Sequence, residues 1–216
     1  MLFNDRKDAG KKLADRLGQG QWERPAVFAI PRGGVPIGCE IARKLHAPLD
    51  LIIPRKLPIP YNPEAGFGAV APDGTVVLNE ELVVQLGLEK PHIDSIVMAV
   101  LDEVQRRIRE YQLGPPLDPK GRTVIVVDDG LASGYTMIAA VRALKKKGPR
   151  KVVVAVPCSP RTSVERLEEE ADEVICLTVQ EGGAFAVASY YEKFPDLTDG
   201  EVLADLGTCT LTTSKG

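Results

Sequence analysis

Thr123-Val-Ile-Val-Val-Asp-Asp-Gly-Leu-Ala-Ser-Gly-Tyr-Thr136 changes character three times within a short span. It opens with consecutive β-branched residues at 124–127, the composition of a strand buried on both faces of a parallel sheet. Two carboxylates, Asp128 and Asp129, stand where that strand ends. A run rich in glycine, small and hydroxyl residues follows, and Met137-Ile-Ala-Ala-Val-Arg-Ala-Leu144 is a good helix sequence. Open α/β sheets bind ligands at the carboxyl ends of their strands, so function is sought here first.

Outward from this stretch, strand and helix patterns alternate. Residues 26–30 read as a buried strand that runs into Pro31-Arg-Gly-Gly34, and residues 35–45 as a helix with Pro36 in its first turn. Residues 49–53, 151–156 and 173–177 read as further strands, and 159–171 as a capped helix. Ahead of these, Asn4 or Asp5 caps a helix with Ala9, Leu13, Ala14 and Leu17 on one face. Residues 91–113 carry apolar side chains at helical spacing, with Arg106, Arg107 and Arg109 assigned to the outer face. The alternation predicts right-handed crossovers and a Rossmann-like three-layer α/β sandwich around a mainly parallel sheet.

The expectation is one domain over 1–216, with its core at about 24–178, a flexible loop at 54–78 and a tail or hood at 179–216. The loop is assigned from five prolines (Pro54, Pro58, Pro60, Pro63, Pro72) between residues 54 and 75, with at most a hairpin pairing 67–71 with 75–78. A net charge of -3 argues against bulk attraction to nucleic acid. No apolar run is long enough to span a bilayer, and the first residues lack a signal-peptide pattern, so a cytoplasmic protein is expected. Four scattered cysteines and two histidines favour buried thiols over a zinc site or a disulfide framework.

The chemistry of 128–136 follows from its groups. Backbone N–H groups ahead of a helix N-terminus, with the hydroxyls of Ser133 and Thr136, suit a phosphate, and Gly130 and Gly134 permit close approach. The adjacent acids suit a vicinal diol or a cation. Pro31-Arg-Gly-Gly34 repeats the logic with one cation and suits a second anion.

At this point the chain resembles type I phosphoribosyltransferases. Residues 124–136 are similar to that family's signature of hydrophobics, two acids and a T-G-x-T-like loop, with Ser133 where threonine is more usual. Pro31-Arg-Gly-Gly34 is similar to the family's pyrophosphate loop, which often holds a non-proline cis peptide, and residues 55–75 fall where the family has a catalytic loop. The resemblance implies transfer of a phosphoribosyl group from phosphoribosyl pyrophosphate to a nitrogen acceptor, expected to be a nucleobase, with pyrophosphate released. Asp128 and Asp129 would hold the ribose hydroxyls, and Gly130, Leu131, Ala132, Ser133, Gly134, Tyr135 and Thr136 the 5′-phosphate. Arg32, Gly33 and Gly34 would meet the pyrophosphate, and Lys56 with Arg55 would neutralise it as it leaves. Mg²⁺ would be held mainly by ligand oxygens and water, with no protein cage. A homodimer is expected by analogy alone.

Ala132 stands where relatives acting on 6-oxopurines usually carry an acid, which lowers the expectation of hypoxanthine or guanine. Pro157, Phe185, Tyr190 and Tyr191 are the candidates for stacking on a base. Two rival readings differ in class: a regulatory protein of the same fold that binds the donor without catalysis, and a phosphorelay receiver. Lys56 in a catalytic-type loop favours the enzyme over the first. The glycine-hydroxyl loop after Asp129 does not suit the second.

Overall fold

The computed structural model describes residues 2–111 and 115–213. In chain order its elements begin with α1 (Arg6–Leu17), β1 (Ala26–Ala29), α2 (Gly34–Leu45), β2 (Leu49–Leu51), β3 (Arg55–Ile59), β4 (Asn62–Val70) and β5 (Val76–Leu78). They continue with α3 (Glu80–Gln85), α4 (Lys90–Tyr111), β6 (Thr123–Val127), α5 (Tyr135–Lys145), β7 (Lys151–Pro160), α6 (Arg161–Glu168), β8 (Glu173–Gln180) and α7 (Asp199–Thr213).

The centre is a five-stranded parallel sheet in the order β2-β1-β6-β7-β8. Its valines and isoleucines alternate between two cores, as expected for strands covered on both faces. Ile125 and Val127 face α1, α2 and α7, whereas Val124 and Val126 face α5 and α6. The α/β layering expected from the alternating sequence is the layering found. Asp5 caps α1 by accepting from the Asp8 N–H at 2.8 Å. Thr198 caps α7 in a reciprocal box with Glu201.

Residues 54–78 correct the sequence reading. In place of a loop they form a three-stranded antiparallel sheet in the order β3-β4-β5. The expected pairing is there, with Val70 opposite Val76, but an extra strand, β3, joins it. The prolines fit because most avoid ladder positions: Pro54 precedes β3, Pro60 and Pro72 lie in turns, and Pro58 sits at a register shift. The sheet buries Leu57, Phe67 and Val70 against Ile93, Val100 and Val104 of α4. A distant helix supplies that core, so no local reading of 54–78 contains it.

The helix expected at 159–171 begins two residues later, at Arg161, because β7 runs on through Pro160. Ser159 is fully buried and pairs in register with Val179, so it serves as a strand residue and not as a cap.

Candidate functional site

In the sheet, β1 stands between β2 and β6, and the chain runs outward from β1 one way and from β6 the other. The helices after β1 and β6, α2 and α5, therefore cover opposite faces of the sheet, and the carboxyl edge between these two strands is the point where such sheets bind ligands. Asp128 and Asp129 end β6; Pro31-Arg-Gly-Gly34 ends β1. The Ile30 N–H donates to the Val127 carbonyl at 2.9 Å, so both loops leave the sheet side by side. The Pro31–Arg32 peptide is cis, as the resemblance implied. A methyl group on Gly33 would lie 1.9 Å from Asp129 Oδ2, and one on Gly34 2.7 Å from the Val127 carbonyl oxygen. Glycine is needed at both positions for the two loops to touch.

The two carboxylates differ in their surroundings. The Asp128 Oδ1 accepts from the Asp129 N–H at 2.8 Å. Burial first, and then the charge of Asp129, push the Asp128 carboxyl well above the ordinary carboxylate range. Burial raises Asp129 too, but Arg6 opposes it, with Nε donating to Oδ2 at 2.8 Å. Arg6 belongs to α1 and is itself buried; its Nη1 donates to the Pro195 carbonyl at 2.7 Å, and its guanidinium stacks 3.8 Å from the Phe194 ring. The Tyr191 hydroxyl donates to the Asp129 carbonyl at 2.6 Å. Sequence reading missed Arg6, although it heads the buried stripe of α1 together with Ala9, Gly10, Leu13 and Leu17.

The loop from Gly130 to Thr136 is pinned from behind. Its Leu131 side chain is buried under α5, and the Leu131 N–H donates to the Cys158 carbonyl at 3.0 Å. Leu131 is therefore an anchor; its N–H is not turned to the crevice. The Ser163 hydroxyl donates to the Ala132 carbonyl at 2.6 Å, and Arg166 Nη1 to the Ser133 carbonyl at 3.3 Å. Both partners come from α6 and were absent from the sequence reading. Ala132 and Ser133 are exposed at the tip. Gly134, with φ +81°, turns the chain into α5, whose first residues are Tyr135 and Thr136. A methyl on Gly130 would meet Val187 of the tail at 2.6 Å, so tail and loop are in contact.

The cations are arranged less simply than the sequence implied. Arg32 reaches Asp199 of α7 at 3.7 Å, and the Tyr111 hydroxyl of α4 donates to the same carboxylate. Arg55 and Lys56 are neighbours on β3, so strand alternation sends them to opposite faces. Arg55 pairs with Glu103 of α4 at 3.0 Å, and Arg107 approaches the same carboxylate at 3.8 Å. Arg107, assigned to a solvated helix face, is instead mostly covered, with its side chain 19% exposed. Burial, and next the charge of Arg107, lower the affinity of Arg55 for its proton; Arg32 and Arg106 act in the same direction.

Of the aromatics proposed for base stacking, Tyr191 is buried between Phe3 and Phe194 and is committed to Asp129. Pro157 is buried in β7. Phe185 and Tyr190 remain half-exposed with ring centroids 5.3 Å apart, and the Tyr190 hydroxyl donates to Gln180 at 2.6 Å. All four cysteines are thiols; burial pushes Cys158, the thiol beside the acid pair, up to about 12, so it is no ready nucleophile. Both histidines are at the surface. Among the described residues no cluster of three or more metal-ligating side chains exists. The acid pair fits an ion that keeps its waters and phosphate ligands and takes at most one or two carboxylates, the habit of Mg²⁺. No helix among the described residues is long and apolar enough to cross a membrane.

A phosphoribosyl transferase domain family model matches residues 72–192, from the turn before β5 into the tail. A Mycobacterium tuberculosis protein, named provisionally as a phosphoribosyl transferase, is 42% identical over 206 residues, covering 95% of this chain and 46% of that protein. The chain thus spans about half the length of that curated relative. A Thermus thermophilus protein of known structure is 39% identical and superposes with a TM-score of 0.79, covering 95% of this chain and 98% of its own. A Neisseria gonorrhoeae protein solved with bound ppGpp is 16% identical, with a TM-score of 0.52 over 98% and 97% of the two chains, and shares the fold.

Proposed function

This chain belongs to the phosphoribosyl transferase domain family, and we propose that it transfers the 5-phosphoribosyl group of phosphoribosyl pyrophosphate to a nitrogen acceptor, releasing pyrophosphate. One observation carries the reading. The acid pair and a glycine-bracketed loop entering α5 lie against a second glycine loop bearing Arg32, across the β1–β6 crevice.

In this reading the carboxyls of Asp128 and Asp129 hold the 2′- and 3′-hydroxyls, while the tip at Ala132 and Ser133, Gly134 and the α5 N-terminus (Tyr135, Thr136) receive the 5′-phosphate. Arg32, beside Gly33 and Gly34, meets the pyrophosphate, and Lys56 of β3 is the cation that neutralises it as it leaves. The C1′–oxygen bond to pyrophosphate breaks as the C1′–nitrogen bond forms, and the acceptor's proton passes to solvent. The transition state has oxocarbenium character, so this chain contributes positioning, charge complementarity and exclusion of water. Mg²⁺, entering with the donor, would neutralise phosphate charge. Phe185 and Tyr190 are the side chains we assign to stacking on a nucleobase. We place the protein among cytoplasmic enzymes of nucleotide metabolism.

Purified protein incubated with phosphoribosyl pyrophosphate, Mg²⁺ and a panel of bases tests this by pyrophosphate release. Release that depends on one base is the expected result. Tight donor binding with no base-dependent release would favour a regulatory donor-binding protein of the same fold, and the absence of both would sink the reading.

A further inference from the structure

Arg32, the cation of the 31–34 loop, already faces a carboxylate of its own chain. Its Nη1 lies 3.7 Å from Asp199 Oδ1, on the first residue of α7. That carboxylate is held from another side as well. The hydroxyl of Tyr111, a buried residue of α4, donates to the same oxygen. This hydrogen bond first, and then the charges of Arg107 and Arg32, hold the Asp199 carboxyl below the ordinary carboxylate range. The helix α7 is fixed in turn on α2, which follows the loop. Val202 and Leu206 share a core with Ile37 and Ile41, and the Cys39 thiol donates to the Asp205 carbonyl at 3.6 Å. The family-model match at 72–192 includes neither Arg32 nor Asp199.

We propose that Asp199 is a positioning residue for the anion-binding loop: a tethered carboxylate that competes with an incoming phosphate oxyanion for Arg32 and takes the guanidinium back when the anion leaves. That the anion is pyrophosphate rests on the phosphoribosyl reading; the competition concerns any phosphate oxyanion that reaches Arg32. The two ends of the pair are unequal. Asp199 is anchored by Tyr111 and by the packing of α7, whereas Arg32 sits on a turn and meets it at more than a hydrogen-bond distance, with both side chains partly in water. An exposed pair of this kind contributes little. A guanidinium grips a phosphate through two short charged hydrogen bonds, so the anion draws Arg32 away. Its departure leaves no bare carboxylate, because Tyr111 still donates to Asp199 and the charge of Arg107 still acts on it. The carboxylate nevertheless stays beside the loop and opposes the anion's charge. Asp199 therefore loosens the hold on an anion without abolishing it, which suits a leaving group that has to be released after each turnover.

Calorimetry with inorganic pyrophosphate, at low ionic strength and constant Mg²⁺, tests this on the full chain. Asp199→Asn removes the charge and keeps an oxygen to which Tyr111 can donate. It should tighten pyrophosphate binding roughly three- to fivefold, the size of one exposed ion pair. Asp199→Glu keeps the charge and should stay close to the native affinity. Arg32→Met should weaken binding, and Asp199→Asn added to it should have a much smaller effect than alone, since the contested partner is gone. The Arg32 Nε–H signal in NMR spectra of the native protein gives a second reading, and it should shift as pyrophosphate is added. Asp199→Asn that leaves pyrophosphate affinity unchanged or lowers it overturns the inference, and so does a gain undiminished by Arg32→Met. An Arg32 signal that bound pyrophosphate does not move overturns it whether or not any variant folds. Should the series run as expected with pyrophosphate while the native protein fails to bind phosphoribosyl pyrophosphate, the competition stands and the phosphoribosyl reading falls.

Discussion

The carboxyl edge of the parallel sheet and the antiparallel sheet of β3, β4 and β5 carry opposite electrostatic problems. At the edge, burial raises the pKa of two acids crowded at one strand end. Beside the antiparallel sheet, burial and neighbouring cations loosen the proton of Arg55. Each region holds like charges that water would otherwise separate. The pairing teaches how one donor molecule could be gripped: the acids suit its uncharged diol, and the cations its phosphates. The regions also differ in support. The edge rests on strands covered on both faces, while the antiparallel sheet packs Leu57, Phe67 and Val70 against α4 and sets Ala69 and Val77 against the core of α5.

The largest expected effect tests the acidic side. Asp128→Asn combined with Asp129→Asn should weaken donor binding, read by calorimetry, by at least ~100-fold, since charged hydrogen-bond partners contribute roughly 1.5–3 kcal/mol each. Binding that survives would dissolve the contrast, because the edge would then bind only phosphate.

Phe67→Ala probes the difference in support. It should cost about 3–5 kcal/mol. Hydrogen exchange should then open β3, β4, β5 and α4 well before β6; uniform opening would show that the two cores fold as one unit.

Next comes Lys56→Ala, which should lower kcat roughly a hundredfold with little change in donor affinity, as for loss of one charge-stabilising donor. An equal loss in binding would place Lys56 with the ground-state contacts.

The smallest effect concerns stability. The folded chain holds the Asp128 proton more tightly than the unfolded chain does. The resulting penalty is full above the folded pKa and fades as pH falls through it. Asp128→Asn should therefore stabilise the ligand-free protein at neutral pH and raise its Tm, with the gain vanishing towards pH ~4, near the unfolded carboxyl pKa. A gain that does not depend on pH would rule out ionisation as its cause.

What the sequence disclosed follows from how locally each feature is encoded. The stretch 123–136 spells strand, acids, turn and helix in consecutive residues, and the structure has them in that order. The loop at 31–34 was legible for the same reason, whereas its cis peptide was implied only by the family resemblance. Residues 54–78 were misread because proline content was weighed without α4, whose Val100 and Val104 complete the core under Phe67. Arg107 was misplaced likewise: helical spacing assigns faces relative to one partner, and α4 also packs beside β3. Arg6, Ser163 and Arg166 escaped because each serves the site from another element. Of these, only Arg6 left a trace, a charge at the head of an apolar stripe.

Ser163 and Arg166 commit the carbonyls of Ala132 and Ser133 before any ligand arrives. A loop held in this way has surrendered much of its conformational entropy during folding, at roughly 1–2 kcal/mol for each backbone residue fixed. An anion settling on the tip then has little disorder left to remove, and association can proceed without waiting for the loop to rearrange. Through these two side chains the short helix α6 would help set the speed of anion binding as well as its strength.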